Sequence, residues 1–251
     1  MPAYPQLKKA MILAAGKGTR LRPSTLELPK VLLPIAGKPL LAYELAWLKL
    51  NGVSDITINL HHLGDKVRDF LGDGSRYGIK ALYSNEEKLL GTAGGVKKVE
   101  SFFESTFLVI YGDFLLDFNL KRMLHFHRKS HALATLALMP VVNPHEVGIV
   151  GLDIEGKVVS FVEKPASSAA AGNLANCGVY ILEKDIFKYI PESIPTDFAY
   201  DIFPKLLKLG LPVYGYVPGA GESLIDTGTL EKYESVNEQL TSGAIKISFD
   251  V

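Results

Sequence analysis

The chain has 251 residues, 47% of them apolar and 22% charged, and its 27 basic residues balance its 27 acidic ones. A balanced charge argues against a broad nucleic-acid-binding surface, and no apolar run approaches the roughly 18 residues that a membrane span needs. The single cysteine, Cys177, excludes an internal disulfide and a thiolate metal cage, and the N-terminus lacks the apolar core of a secretory signal, so a cytoplasmic protein without a nucleic-acid or membrane partner is expected.

The first predicted strand, 10–14, leads into a loop rich in glycine and basic residues. Gly16 and Gly18 allow tight turns and let a ligand approach the backbone closely. Four basic residues lie in this loop, at 17, 20, 22 and 30. Glycines together with clustered cations favour a polyphosphate site over a solvated surface loop. The spacing matches neither a P-loop nor the dinucleotide fingerprint, because Leu21 stands where the latter needs glycine.

Apolar strands alternate with amphipathic segments through the first half. Further strands are predicted at 55–60, 79–83 and 107–111, and helices at 40–50, 64–71 and 94–103. This alternation indicates an α/β fold, a Rossmann-like and mostly parallel sheet with helices on both faces. Ligands of such sheets bind beyond the carboxyl ends of the strands, so the loops after Ala14, Tyr83 and Tyr111 are the expected site.

Two of these loops carry distinctive motifs. Leu90–Gly95 reads LGTAGG, and a helix starting near Ala93 would present free N–H groups to a ligand. Gly112 and Asp113 follow the central strand, where an acid lies at the expected mouth of the site. A turn or a helix cap is the alternative interpretation of Asp113.

The second half predicts a smaller, mixed lobe. Strands are expected at 132–139, 176–182 and 213–217, and helices at 119–129, 184–190, 200–209 and 229–240. A hairpin is expected between 147–153 and 157–163, with Glu155 and Gly156 in its turn. The small-residue segment 167–173 is expected to be a mobile loop at the margin of the site. The histidines at 61, 62, 125 and 127 are expected to be structural or surface residues, since their spacing does not place them on one metal.

The opening motif resembles the start of the sugar-1-phosphate nucleotidyltransferases. It reads Leu13-Ala-Ala-Gly-x-Gly-Thr-Arg-Leu-Arg-Pro, followed by Pro29-Lys30 and Leu33-Pro34. Three later elements resemble the same family in order: Glu163-Lys164-Pro165, the Asn-x-Gly of Asn176 and Gly178, and Asp226-Thr-Gly-Thr. The resemblance covers about residues 8–240. It implies a single nucleotidyltransferase domain over 1–251, with a nucleotide-binding half at about 8–112, a sugar-binding half at about 113–240, and no β-helix extension.

The resemblance also implies roles for individual residues. It implies that Arg20, Lys30 and Asp113 are catalytic and that Asp113 and Asp226 together hold Mg²⁺. The implied nucleotide-binding residues are Leu13, Ala14, Ala15, Gly16, Gly18, Thr19, Arg20, Lys30, Gly91, Thr92, Ala93 and Gly94. The implied sugar-phosphate-binding residues are Gly112, Glu163, Lys164, Asn176 and Gly178.

The implied reaction joins an NTP and a sugar-1-phosphate into an NDP-sugar and pyrophosphate, without a protein nucleophile. Leu-Gly-Thr-Ala-Gly and the segment 132–138 look most like mannose-1-phosphate guanylyltransferases, which predicts GTP and mannose-1-phosphate. The segment 59–78 looks like uridylyltransferases of amino-sugar phosphates, so UTP or dTTP with another hexose phosphate, or a heptose phosphate, stays open.

Two other kinds of function are compatible with the first motif. A regulatory subunit that binds a nucleotide sugar without catalysis is disfavoured because Arg20, Lys30, Asp113 and Asp226 are all present. Phosphocholine cytidylyltransferases share the first motif but would not need Glu163-Lys164-Pro165. A homo-oligomer is left open.

Overall fold

The structure, a computed structural model, describes residues 7–141, 143–165 and 173–251. Of the predicted mobile loop 167–173, only Asn173 lies within these residues. The strands and helices are, in chain order, β1 (Lys9–Leu13), β2 (Pro34–Ile35), β3 (Lys38–Pro39), α1 (Leu40–Leu50), β4 (Asp55–Leu60), α2 (Gly64–Leu71), β5 (Lys80–Asn85), α3 (Gly91–Lys98), β6 (Phe107–Tyr111), β7 (Phe114–Asp117), α4 (Leu120–Lys129), β8 (Ala134–Pro140), β9 (Gly148–Leu152), β10 (Val158–Glu163), β11 (Leu174–Leu182), α5 (Phe203–Lys208), β12 (Val213–Tyr216), β13 (Ser223–Asp226) and α6 (Leu230–Ser242).

These elements form two compact units that interleave along the chain. The first unit contains the described residues up to Leu89 together with Ile110–Phe118 and Ser223–Val251. The second contains Leu90–Val109 and Asn119–Glu222. Strand β6 therefore begins in the second unit and ends in the first. The assignment of a nucleotide-binding half and a sugar-binding half stays a prediction.

The first unit is built on parallel strands, as predicted. Strand β4 pairs with β1 on one side and with β5 on the other, with Ile58 opposite both Ile12 and Tyr83. Ile12 and Ile58 are fully buried. Burial of an apolar strand centre on both faces is what a parallel sheet covered by helices requires. Because the strands run the same way, the loops after them emerge at one edge.

A small antiparallel sheet in the first unit was not predicted. Strand β7 pairs with β13, and Phe114 lies opposite Asp226. Leu115 of β7 belongs to a buried cluster with Tyr43 of α1 and Val236 of α6. This cluster fixes the two short strands in place, and with them the acids at their ends.

The second unit is mainly antiparallel. Strand β11 pairs with β8 and β9, β10 pairs with β9, and β12 pairs with β8 in parallel. The predicted hairpin around Glu155 and Gly156 is confirmed as β9 and β10. Stacked rings of Phe103, Phe107 and Phe187, with centroids 4.0 and 5.4 Å apart along the series, fill part of the core.

Three predicted helices differ in form. Helix α3 begins at Gly91 rather than near Gly94 and ends at Lys98. The segment Lys184–Tyr189 is 3₁₀. The predicted helix 200–209 is a π turn, Phe198–Ile202, followed by α5. Pro204 at the start of α5 explains the break, because proline has no N–H to continue a helix from the preceding turn.

The fold belongs to the mixed α/β class, with neither a barrel nor a solenoid among the residues described. Within those same residues, no helix has both the length and the apolar character needed to cross a membrane.

Candidate functional site

The start of the glycine loop is fixed by a buried polar network at the ends of three strands. The N–H of Ala14 donates to Asn59 Oδ1 at 2.7 Å, and Asn59 Nδ2 donates to Glu86 Oε1 at 2.7 Å. Ala14, Asn59 and Glu86 are all buried. The residues follow or end β1, β4 and β5, so the expected edge of the parallel sheet is also where the loop is anchored.

The two glycines of the loop stand in different surroundings. Gly18 has φ +61°, and a Cβ there would lie 2.8 Å from Thr25 Cγ2, whose side chain donates to the Gly18 carbonyl at 2.7 Å. A Cβ on Gly16 would meet no atom within 4 Å. Gly18 is thus needed by the fold itself, whereas the backbone at Gly16 borders open space that a ligand can occupy. Thr19 and Arg20 follow in one 3₁₀ turn, Thr19–Leu21, held down by buried Leu21.

Lys30 and Asp113 form an ion pair, although 83 positions separate them in sequence. Their side chains are only 15% and 19% exposed. The Asp113 carbonyl accepts hydrogen bonds from Thr227 N at 2.9 Å and Thr227 Oγ1 at 2.8 Å. The N–H of Gly112 donates to the Leu13 carbonyl at 3.0 Å, which ties the end of β6 to the start of the glycine loop.

Gly228 marks the point where the predicted catalytic residues of this unit meet. A Cβ built on it would lie 2.6 Å from Asp226 Oδ1, 3.3 Å from Arg20 Nη2 and 3.5 Å from Asp113 Oδ2. The structure therefore brings together Arg20 and Lys30 of the glycine loop, Asp113 and Asp226, which come from three distant segments of sequence. Two carboxylates beside two cations form a site that can hold a metal ion and phosphate groups at once.

Asp226 also has a cationic partner that the sequence did not suggest. Lys232 Nζ, from the first turn of α6, donates to Asp226 Oδ2 at 2.7 Å, and Gly228 N donates to Oδ1 at 2.7 Å. Each candidate metal ligand is therefore paired with a lysine: Asp113 with Lys30, and Asp226 with Lys232.

The carboxylates at 113 and 226 fit a magnesium-type site. Mg²⁺ is commonly held by one or two protein carboxylates with substrate phosphates and water completing its octahedron. Lys30 bonds Oδ2 of Asp113, whereas Oδ1 is buried and has no hydrogen-bond partner among the described residues, so the ion pair alone does not satisfy this carboxylate. Within the described ranges no three His, Cys, Asp or Glu side chains cluster as a metal site, so a metal here would depend on its substrates for the remaining ligands. His61 and His127 have other partners, Glu86 O at 2.8 Å and Thr135 Oγ1 at 2.8 Å.

Glu44 is the most unusual residue near this site. It lies on α1, is 0% exposed, and neither of its carboxyl oxygens has a hydrogen-bond partner in the described part of the chain. Burial raises the pKa of Glu44 well above its ordinary value; the negative charge of Asp113 raises that pKa further, and the positive charge of Lys30 opposes the shift. Glu44 is therefore electrostatically coupled to both members of the Lys30–Asp113 pair.

The LGTAGG motif in the second unit is packed against its own unit. Ala93 N and Gly94 N both donate to the Thr196 carbonyl at 3.0 Å, so the expectation of free N–H groups at this helix start is wrong for these two residues. The Thr92 hydroxyl donates to Asp197 Oδ2 at 2.8 Å. Gly91 has φ +75°, and a Cβ there would lie 2.4 Å from the Thr196 carbonyl oxygen. The close approach of the 194–197 segment explains why glycine stands at 91.

Glu163 and Lys164 lie at the end of β10. Burial raises the pKa of Glu163; adjacent Lys164 opposes that rise and Asp197 adds to it. Lys164 is exposed, has φ +47°, and donates its backbone N–H to the Val147 carbonyl at 3.1 Å. The ammonium group of Lys164 therefore stands at the surface of the second unit beside a half-buried acid.

Asn176 and Gly178 lie within β11, at an irregularity in its pairing with β8. Asn176 Nδ2 donates to the buried Tyr180 hydroxyl at 2.8 Å, and Gly178 N donates to Asn176 Oδ1 at 3.4 Å. These bonds fix the orientation of the Asn176 amide.

The predicted site residues thus divide between the units. The first unit holds the glycine loop, Lys30, Gly112, Asp113 and Asp226, and the second holds the LGTAGG residues, Glu163, Lys164, Asn176 and Gly178. Sequence reasoning did not single out four residues that the structure places at the first group: Glu44, Asn59, Gly228 and Lys232. A signal existed for Gly228, inside Asp-Thr-Gly-Thr, and for Glu44, an acid within an otherwise apolar stretch of α1.

The chain is similar to known proteins over most of its length. Residues 9–243 match the sequence profile described as nucleotidyl transferase. A UTP–glucose-1-phosphate uridylyltransferase of Synechocystis is 40% identical over 82% of this chain and 57% of its own length. A mannose-1-phosphate guanylyltransferase of Mycobacterium tuberculosis is 35% identical over 93% of this chain and 65% of its own. The chain thus spans less than two thirds of these curated relatives.

Solved structures extend the likeness to the fold. A Bacillus anthracis protein named as a glucose-1-phosphate thymidylyltransferase, crystallised with a sucrose, superposes with a TM-score of 0.84 at 26% identity, covering 97% of this chain and 98% of its own. HddC from Yersinia pseudotuberculosis gives a TM-score of 0.79 at 28% identity, covering 93% of this chain and all of its own.

Proposed function

The chain belongs to the nucleotidyl transferase family, and we propose that it is a sugar-1-phosphate nucleotidyltransferase, which converts an NTP and a sugar-1-phosphate into an NDP-sugar and pyrophosphate. The observation that carries the proposal is the meeting of Arg20, Asp113 and Asp226 at Gly228, with Lys30 paired to Asp113. Two cations and two carboxylates in one place suit a reaction between two phosphate-bearing substrates.

The proposed chemistry is an in-line displacement. A phosphate oxygen of the sugar-1-phosphate forms a bond to the α-phosphorus, and the bond from that phosphorus to the bridging oxygen of the β-phosphate breaks. Pyrophosphate leaves with the electrons of that bond. No covalent intermediate with the protein is needed, and the work of the residues is to position the phosphates and neutralise their charge.

The residues divide this work by type. Gly16 and the exposed part of the loop approach the triphosphate, Arg20 neutralises the leaving pyrophosphate, and Lys30 contacts a phosphate. Lys164, a point charge on a flexible stem, suits the phosphate of the sugar, with Glu163 and Asn176 for its hydroxyl groups. Mg²⁺ held by Asp113 and Asp226 would stabilise the negative charge that the phosphates carry through the reaction.

We rank two combinations of NTP and sugar-1-phosphate as candidate substrates. GTP with mannose-1-phosphate is the first choice, supported by the motif resemblance and by the M. tuberculosis relative. UTP with glucose-1-phosphate is a second candidate, favoured by the higher identity to the Synechocystis relative. The substrates are expected to meet the protein in the cytoplasm.

A substrate matrix tests the proposal. ATP, GTP, CTP, UTP and dTTP are each combined with mannose-, glucose-, N-acetylglucosamine- and a heptose-1-phosphate in the presence of Mg²⁺, and pyrophosphate release is measured. We expect release in at least one combination, highest with GTP and mannose-1-phosphate. Absence of release from every combination, together with binding of a nucleotide sugar, would replace the enzyme by a regulatory binding protein.

A further inference from the structure

Glu44 lacks any role in the reaction as described, yet its position is costly to maintain. A buried carboxyl group without a hydrogen-bond partner destabilises a fold, because it loses its hydration and gains nothing in return. Within the described residues both Glu44 oxygens are in this state, in the middle of a helix where the adjacent Tyr43 and Leu45 are also buried. An apolar residue would pack there without that cost, so a functional reason is needed.

The surroundings of Glu44 supply one. Among the described residues, Asp113 Oδ1 is likewise buried and unpartnered, and the charges of Asp113 and Lys30 both act on the pKa of Glu44. Helix α1 packs on β7, which directly follows Asp113, and on the 3₁₀ turn that begins at Lys30. Glu44 therefore lies on a helix that packs against both members' segments, without a hydrogen bond to either member.

The proposed reaction requires the ion pair to change. Asp113 must turn an oxygen to the metal, and Lys30 must face a phosphate. The Lys30 side chain is 15% exposed, so its ammonium group would lose its carboxylate partner in a largely buried place. A second carboxyl group, on the helix that packs against the turn of Lys30, would keep that charge compensated while Asp113 is engaged elsewhere.

We infer that Glu44 is a positioning residue that holds the Lys30 ammonium group when Asp113 turns to the metal. This inference rests on the proposed function. Glu44 would act through Lys30 rather than on the substrates themselves. It also explains why an acid stands in α1. The Glu44 carboxyl group, which is unpartnered here, gains Lys30 as its partner when the substrates and metal are bound.

Three variants test the inference: Glu44→Met, Glu44→Gln and, as a control for repacking of the same helix, Leu45→Met. The measurements are kcat and KM with the best substrate pair, Mn²⁺ affinity by electron paramagnetic resonance, and the thermal midpoint. Glu44→Met removes the unpartnered group and should raise the midpoint above that of the wild type, while kcat and Mn²⁺ affinity each fall about 10- to 100-fold. Glu44→Gln keeps an oxygen that can accept a hydrogen bond from Lys30. Its kcat and Mn²⁺ affinity should therefore lie between those of the wild type and of Glu44→Met. Leu45→Met should leave kcat and Mn²⁺ affinity unchanged.

Two results would overturn the inference. One is wild-type kcat and Mn²⁺ affinity in Glu44→Met. The other is an equal loss of kcat and Mn²⁺ affinity in Glu44→Gln and Glu44→Met, because the oxygen that Glu44→Gln retains would then make no difference. If wild-type protein releases pyrophosphate in no combination, the proposed function fails separately, and the Mn²⁺ affinities of the same variants still decide the role of Glu44.

Discussion

Gly16 and Gly18 are two positions apart, and the structure gives them opposite reasons for being glycine. Gly18 has a positive φ and touches Thr25, so the fold needs it. Gly16 has open space beside it, so its small size serves whatever lies outside the backbone. The sequence does not distinguish the two glycines, because the motif indicates only that another group comes close to the backbone of the loop.

This difference gives a prediction at the residue scale. Gly18→Ala should lower the free energy of unfolding by about 1–3 kcal/mol, because a residue with a side chain is strained at this φ and meets Thr25. Gly16→Ala should change it by no more than about 0.5 kcal/mol, yet raise the KM for the NTP, because the added methyl group fills the space of the ligand. Urea unfolding and steady-state kinetics measure the two quantities. Wild-type KM in Gly16→Ala would show that no ligand approaches there.

The residues of the loop motif were predictable from sequence, and the residues that support them were not. Arg20 and Lys30 stand in a motif with fixed spacing. Glu44 and Lys232 come from α1 and α6, and no local pattern records that the charge of Lys30 acts on the pKa of Glu44 or that Lys232 bonds Asp226. A buried acid in a helix is a weak signal until the neighbouring charges are known.

At the scale of elements, the start of α3 is built around one glycine. Gly91 combines a positive φ with close contact to Thr196, and the turn it makes sets the hydrogen bonds of Ala93 and Gly94. This packing of 194–197 on α3 could not be read from the sequence. The LGTAGG pattern indicates a tight approach, and the protein's own chain supplies it at Gly91 and Gly94.

Substitution of Gly91 by alanine separates the cost of its positive φ from the cost of the clash with Thr196. Gly91→Ala should lower the free energy of unfolding more than Gly210→Ala, a matched control with φ +68° and no atom within 4 Å of its Cβ. We expect about 1 kcal/mol for the control, from φ alone, and about 2–4 kcal/mol for Gly91→Ala, from φ and the clash together. Equal losses in urea unfolding would mean that the Thr196 contact relaxes without cost.

The pairing of β7 with β13 was beyond sequence reasoning for a related reason. Each strand has four residues, too few for a periodic signal, and more than 100 residues separate them. The same pairing places Phe114 opposite Asp226 and so brings Asp113 to Thr227. The isolated motifs around Asp113 and Asp226 were recognised, but their adjacency is a product of long-range packing.

At the scale of the whole molecule, the fold class followed from the alternation of strands and helices, and the antiparallel hairpin of β9 and β10 from its turn. The interleaving of the two units did not follow, since the first unit recruits Ser223–Val251 from the far end of the chain. Because this C-terminal segment packs in the first unit, Asp226 lies beside Arg20 and the Lys30–Asp113 pair. Chain order alone gives no reason to expect it.

The central claim is that Asp113 and Asp226 act together at one metal-assisted phosphate site. Pyrophosphate release by Asp113→Asn and Asp226→Asn tests it most directly, with exposed Asp69→Asn on α2 as control and urea unfolding to verify the fold. We expect each of the first two variants to lose about 100-fold or more in turnover while still folded in the absence of urea, and the control to lose nothing. Turnover close to that of the wild type in either Asp113→Asn or Asp226→Asn would contradict the account.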